Sequence, residues 1–328
     1  MGAYILRRVL CAALLFFGLA TLTFVIFYLV PHQTPVPRRR APFPVGPPLG
    51  IHGGVLREYG SFLAHIVRGD FGRSTVNGHD VWTMVTSAAP ATISLVLGGA
   101  VIWIAIAIPL GLLSALRPSS LTAKAGRGLA LIGLSVQPLW LGLLLSWLFG
   151  VKLGWFPPGG YCAPLAPDPD CGGPIVWAHH MVLPWTAFAL IYGAFYVRLV
   201  RGNATARLRD DDVRTARAKG VPDRSIMRSY VLASTVRPIL STLVLDVGGL
   251  AFGLVGVSMF VEIAFGIPGL GRTTEQAAAR ADLPVLIGVI LFVAASVAIA
   301  NLLADLAAVA LDPRLRGQLS QRENAFSK

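Results

Sequence analysis

The chain has 328 residues, of which 55 % are hydrophobic and only 13 % charged, and its mean hydropathy is +0.67. That balance excludes an ordinary soluble globular protein. The formal net charge of +12 comes without an aromatic-interleaved basic face, which argues against a nucleic-acid partner.

Taken in chain order, apolar blocks recur that are long enough for a hydrocarbon core of about 30 Å, which takes about 20 helical residues. They are Val9–Val30, Ala91–Leu116, Gly128–Val151, Met181–Val200, Ile239–Val261 and Pro284–Leu311. Each is apolar on all sides, whereas membrane strands alternate over about ten residues. The expected fold is therefore an all-α polytopic membrane protein with six transmembrane helices. The first block follows Arg7 and Arg8 as a signal peptide would. It outruns the roughly 7–15 residues of a signal core, however, and no small-x-small cleavage site follows, so residues 1–30 are expected to stay as an N-terminal transmembrane helix. Residues 31–90 read as an extracytoplasmic loop, irregular and Pro-rich from Pro31 to Pro48. An amphipathic helix along the outer face then carries Leu56, Tyr59, Leu63, Ile66 and Val67, and ends in the Gly69–Gly72 turn. Residues 91–316 are the expected membrane core, with a cytoplasmic loop at 201–236, and 317–328 a cytoplasmic tail.

Lys and Arg set the orientation. With both termini inside, the cytoplasmic segments collect Arg7, Arg8, Arg117, Lys124, Arg127, the basic set from Arg198 to Arg237, Arg314, Arg316, Arg322 and Lys328. The high net charge is then mostly a topology signal. Cys11 falls in the first span as a small apolar filler. Cys162 and Cys171 share the outer loop "KLGWFPPGGYCAPLAPDPDCGGPI", where an oxidising exterior permits a disulfide. A zinc site joining them to His179 and His180 is the alternative, but the spacing fits no standard ligand pattern, and no metal is expected. A further outer segment, "FGIPGLGRTTEQAAARADLP", combines a Pro-Gly turn with a short helix.

The segment "DDDVRTARAKGVPDRS", from Asp210 to Ser225, is the polar exception. Asp210, Asp211 and Asp212 stand at a helix start, where carboxylates cap free N–H groups and meet the positive end of the dipole. Arg214, Arg217 and Lys219 crowd the other end. Gly220 suits the position just past the helix, and Pro222 the first turn of a new one. Val213, Ala216 and Gly220 recur at i, i+3 and i+7 as a stripe of small side chains, expected to face a partner. An ordinary solvated loop helix is the bland alternative.

Within the spans, Asp246 lies about 13 Å beyond Arg237 along the fifth helix. It either faces an aqueous path, meeting a cationic substrate group, or is a buried charge tied to a neighbouring helix. Gly249, Gly253 and Gly256 form a small-residue stripe suited to close helix packing or to a contact with a second subunit lining the path. Asn301 and Asp305, at i and i+4, read as interhelical hydrogen-bonding residues.

"VRTARAKG" (Val213–Gly220) resembles the cytoplasmic coupling-loop signature of ABC importer permeases, in the version of the dipeptide/oligopeptide/nickel group. The similarity extends through "GDFGRS" (Gly69–Ser74), "LGWFPPGG" (Leu153–Gly160), "LP" (Leu183–Pro184), "VEIAFGIPGLG" (Val261–Gly271), "ADLPVLIG" (Ala281–Gly288) and "NLLADL…LDPRLR" (Asn301–Arg316). Arg214 and Thr215 replace the Glu and first Ala of the general signature, and "PHQTPVPRRR" stands where the first outer loop usually has "PGDP".

The resemblance implies a type I ABC importer permease fold, multi-pass in a bacterial plasma (inner) membrane. It implies that Asp212, Val213, Arg214, Thr215, Ala216, Arg217, Ala218, Lys219 and Gly220 couple the chain to a cytoplasmic ATPase. The implied partners are a second, homologous permease, two ATP-binding subunits and an extracytoplasmic substrate-binding (lipo)protein. Tyr161, Cys162 and Cys171 become candidates for contact with that binding protein. The chain has no GxxxxGK[ST] loop and no Gly-Lys pair, nor an HExxH, GxSxG or paired-carboxylate site. It is thus expected to be no enzyme and to hold no cofactor, with ATP and Mg on the partner subunits. Short peptides are the expected cargo, with nickel or another small solute as the alternative. A motor-independent channel or secondary transporter is the reading from another class.

Overall fold

The apolar runs fold as helices because a helix satisfies its own backbone polar groups, whatever surrounds it. The computed structural model describes residues 2–26, 55–121, 135–163, 173–232 and 256–311, with Cys171 and isolated positions between 122 and 134. Its helices are α1 (Gly2–Phe24), α2 (Val55–Val67), α3 (Val81–Leu116), α4 (Pro138–Leu145), α5 (Pro174–Arg207), α6 (Asp211–Ala218), α7 (Asp223–Ile226), α8 (Gly256–Phe265), α9 (Leu270–Ala279) and α10 (Leu283–Leu311). Among the described residues the one departure towards sheet is an isolated antiparallel bridge, Arg73–Asp80.

Among the described residues, two helices, α3 and α5, are long and apolar enough to cross a membrane, with mean hydropathies of 2.4 and 1.4 over their best windows. Both run further than the apolar blocks alone indicate, α3 starting ten residues earlier. The third block, Gly128–Val151, differs more. Its described positions Gly128, Gly133 and Ser135 are helical, the helix breaks at Val136 and Gln137, and a second helix runs from Pro138 into a π-turn at Ser146–Lys152. Pro138 has no N–H, and Gln137 before it is extended (φ −67°, ψ 136°), the conformation that proline imposes on its predecessor. The fifth block is described only from Gly256 onward.

The chain divides into two compact units, one from the described parts of Met1–Pro90 and Leu270–Lys328, the other from those of Ala91–Leu243 and Gly256–Gly269. In the first, Val81, Val85, Ala88 and Ala89 pack with Leu270 and Ala277 of α9 and with Val285, Val289 and Val293 of α10. The spacing of three to four residues puts each set on one helical face. A second cluster joins Ala20 of α1, Ile66 of α2, and Ile287 and Leu291 of α10. Here α2 differs from the sequence expectation. Its inward face is Tyr59, Phe62, Leu63 and Ile66, while Leu56 and Val67 stay exposed. Phe24 takes the Tyr59 and Phe62 rings at 5.2 and 5.4 Å, and the Thr21 and Tyr59 hydroxyls share a 2.6 Å hydrogen bond. Helix α2 thus packs on protein along that face.

The second unit is centred on Trp103, whose ring lies 5.1–5.8 Å from Phe188, Tyr192 and Tyr196 of α5. Leu95, Met181, Ala187, Val197 and Val200 complete a fully buried core. Trp185 is fixed within it by donating its indole N–H to Ser94 O at 2.9 Å.

Candidate functional site

The polar segment folds as a two-turn helix held at both ends. Asp210 has the extended backbone of an N-cap (φ −66°, ψ 149°), but its side chain makes no capping bond. Of the three aspartates expected to cap, Asp210 thus does not, while Asp212 Oδ1 accepts the first-turn N–H of Val213 at 2.9 Å. Arg207, the last residue of α5, takes the Asp210 carboxylate instead, and reaches Asp212 Oδ2 at 2.5 Å and Tyr230 O at 3.5 Å. A charge-assisted guanidinium pair outcompetes a neutral N–H for the carboxylate. The same guanidinium therefore joins the end of α5, the start of α6 and the segment after α7.

At the other end Val221 N–H donates to Ala216 O (3.1 Å) and Gly220 N–H to Arg217 O (3.0 Å). This is the paired hydrogen bonding of a Schellman stop, with Gly220 at φ +79°, where a side chain would be strained. Pro222 then accepts the N–H groups of Ser225 and Ile226 to start α7.

The faces of α6 invert one expectation. Val213 is 0 % and Ala216 5 % exposed within this chain alone, so the small-residue stripe turns inward rather than towards a partner. Small side chains let α6 sit close against its own unit, where Ile226 and Val231 are also fully buried. Gly220 stays exposed. The exposed face carries Asp211, Asp212, Arg214, Thr215, Arg217, Ala218 and Lys219. Arg214 and Asp211 are 3.6 Å apart but largely solvated, a pair of little energetic weight. The polar face is thus rigidly presented and carries both signs of charge.

In the loop after α4, Cys162 and Cys171 are disulfide-bonded, with Cα atoms 5.1 Å apart. Cys162 Sγ lies 3.9 Å from His180 Nε2, while His180 Nδ1 bonds to Val176 O and His179 Nε2 to Trp155 O. His179 is thus turned to a backbone carbonyl, while His180 spans the Val176 carbonyl and the bridged Cys162 sulfur. Tyr161 is half-buried, and burial pushes its phenol above the ordinary value. The neighbouring Trp177 indole opposes the rise without an acceptable hydrogen-bond geometry, its Nε1 being buried with no partner. Gly160 N–H donates to Phe265 O at 2.7 Å, which fastens "LGWFPPGG" to "VEIAFGIPGLG".

The latter motif is built on Glu262, fully buried, whose Oε1 accepts from the Thr92 hydroxyl at 2.7 Å. Gly269 passes so close that a Cβ there would stand 2.4 Å from the Glu262 carboxyl carbon. In the other unit Asp282 (4 % exposed) performs a parallel task. It accepts the Ser74 hydroxyl, and Thr75 N–H and Oγ1–H at 3.1 and 3.2 Å. Two motifs 208 residues apart in sequence, "GDFGRS" and "ADLPVLIG", are thereby joined. The sequence shows both motifs but not which residues in them meet.

Asp246, Gly249 and Gly253 lie outside the described residues. Gly256 opens α8, exposed and with open space around it. Asn301 is half-buried, and the side chain of Asp305 lies outside the described residues.

Comparison with known proteins agrees with the motifs. The family described as binding-protein-dependent transport system inner membrane component matches residues 107–317. The chain is 32 % identical over 325 residues to a Brucella abortus protein whose name assigns it to a peptide transport system as permease, covering 96 % of this chain and 99 % of that one. It is 31 % identical to an oligopeptide transport system permease protein of Bacillus subtilis (96 % and 99 % covered). Identity to a dipeptide transport system permease protein of Alkalihalophilus pseudofirmus is 28 % (96 % and 100 % covered).

Proposed function

The chain belongs to the family of binding-protein-dependent transport system inner membrane components, the permeases of ABC importers, and from that premise we propose that it forms half of a translocation path for short peptides. As a permease it is the membrane component, not the catalytic subunit. The proposed assembly adds a second homologous permease, two cytoplasmic subunits that bind and hydrolyse ATP with Mg, and an external substrate-binding protein. In the proposed arrangement, six spans with both termini inside, α6 lies on the ATPase side. Relatives named for peptide, oligopeptide and dipeptide systems, matched end to end, support peptides as cargo over nickel.

The observation that carries the reading is the construction of α6. A helix clamped by Arg207, stopped at Gly220 and buried along Val213 and Ala216 is a rigid lever. Closure of an ATPase against its polar face would move α5 and the segment after α7 together, because one guanidinium ties all three. A motor-independent channel has no use for such an element. On the opposite side, Tyr161–Cys171 is the proposed contact for the loaded binding protein, stiffened by its disulfide. Asp246 and the glycine stripe to Gly256 are proposed to line the path.

The test is uptake of a labelled dipeptide into vesicles holding both permeases, with and without the ATPase subunits and binding protein. Uptake only in the complete system is expected. Passive uptake by the permeases alone, or transport of nickel but not of dipeptide, would overturn the reading.

A further inference from the structure

We infer that the C-terminal turns of α5 bind the phosphate-bearing headgroup of an anionic phospholipid. The inference rests on the permease reading only in taking α5 as a membrane-spanning helix. An open cavity of about 460 Å³ lies along this end, lined by Arg198, Arg201, Gly202, Thr205, Ala206 and Arg209. The positions fall at i, i+3, i+4, i+7, i+8 and i+11, one continuous helical face and the turn beyond it.

Three cations and no carboxylate line the cavity. Arg198, Arg201 and Arg209 make no ion pair among the described residues. Arg207, on the adjacent face, is by contrast engaged by Asp210, Asp212 and Tyr230 O. The helix end thus separates one structural arginine from three that are free for an external anion. Guanidinium forks suit phosphate oxygens, which accept two parallel N–H donors. Gly202 and Ala206 keep the floor low, and a Cβ at Gly202 would meet nothing within 4 Å. Thr205 adds a hydroxyl at the rim.

The position favours a lipid over a soluble phosphate. The apolar stretch of α5 ends near Val200, so the arginines cluster where the helix leaves the hydrocarbon, the depth of headgroup phosphates. Basic pockets on membrane helices at that depth attract anionic lipids. One turn before Arg198, on the same face, Phe195 is 47 % exposed. It offers an acyl chain an apolar surface continuous with the cationic site, which a soluble anion would not use.

The experiment uses the full-length chain, reconstituted in phosphatidylcholine doped with phosphatidylglycerol, re-extracted in mild detergent and weighed with its retained lipid by native mass spectrometry. Wild type should retain phosphatidylglycerol selectively. The Arg198→Gln/Arg201→Gln/Arg209→Gln variant should lose on the order of a hundredfold of that retention, the loss expected when three contributions of about fivefold each are removed. Gly202→Leu should weaken retention by filling the floor without changing any charge. Arg214→Gln/Arg217→Gln, on the polar face of α6, should retain the lipid and shows that net charge is not the cause. Equal retention by the triple variant and wild type would overturn the proposal. So would displacement of the lipid by inorganic phosphate, which would make it a soluble-anion site, or by added ATPase subunits, which would make the face a protein contact. No step requires uptake, so a failed transport assay and a failed lipid assay point to different errors.

Discussion

Two short helices of the molecule, α6 and α9, are built to the same plan and held in opposite ways. Each ends in a Schellman stop. In α6, Val221 and Gly220 close on Ala216 and Arg217, and in α9, Asp282 and Ala281 close on Ala277 and Ala278 at 2.8 and 3.2 Å. The stop residue is Gly220 at φ +79° in one and Ala281 at φ +53° in the other. Helix α9 buries Leu270 and Ala277 in a nine-residue core, and the residue after its stop, Asp282, is locked to Ser74 and Thr75. Helix α6 buries only Val213 and Ala216 and is held from outside by one arginine. The first pattern joins segments into a fixed scaffold. The second presents a polar face while staying rigid, which is what a surface meant for another protein requires.

The largest break in this comparison comes from Asp282→Ala. It leaves the Ser74 hydroxyl, itself 4 % exposed, and the Thr75 N–H without their acceptor. The expected cost is about 3 kcal/mol or more, read as a lowered midpoint in denaturant unfolding of the detergent-solubilised chain. An unchanged midpoint would mean that the junction is not structural. Val213→Ala should cost less, about 2 kcal/mol, from lost burial and a small cavity, and should loosen α6 in hydrogen exchange while α9 stays protected.

The stops themselves sharpen the contrast. Ala281→Gly should stabilise by about 0.5–1 kcal/mol by removing a side chain from the left-handed region, and Gly220→Ala should destabilise by about 1 kcal/mol. Same-sign shifts in thermal unfolding would contradict the shared geometry.

Smallest is Asp70→Asn, near the scaffold junction. The Gly72 N–H, and then His65, hold the Asp70 carboxyl below its ordinary 3.8. Its stabilising effect is therefore present above pH 3.8 and lost as pH falls through the lowered value. The side chain is solvated, so wild type and variant should differ slightly at neutral pH and converge below that value in a pH series of melting temperatures.

Much of this was legible in the sequence where a single segment carries its own signal. The stop at Gly220 and restart at Pro222 need only local backbone chemistry, as does the short helix between "FGIPGLG" and "ADLP". Pairings at a distance were not legible: nothing in "GDFGRS" shows that Ser74 meets an aspartate 208 residues away. Arg207 read as one more topology charge, because a clamp is visible only once α6 folds back beside it. The Val213–Ala216 stripe, expected to face a partner, is instead buried within the chain. Small side chains bury readily when the backbone comes close, so Ala216→Arg would probe folding rather than docking. Pro138 lies inside an apolar run whose composition hides the helix break. Asp246, Gly249 and Gly253, the candidate path residues, fall outside the described part of the chain.

The central claim is that the polar face of α6 transmits ATPase closure. The direct measurement is substrate-stimulated ATP hydrolysis by the assembled transporter carrying Arg214→Glu and Arg217→Glu. Both side chains are exposed, so the unfolding midpoint of the permease should stay within about 0.5 kcal/mol of wild type. Stimulation by loaded binding protein should fall at least about tenfold, as expected when charges at a docking interface are reversed. Wild-type stimulation with both charges reversed would contradict the account.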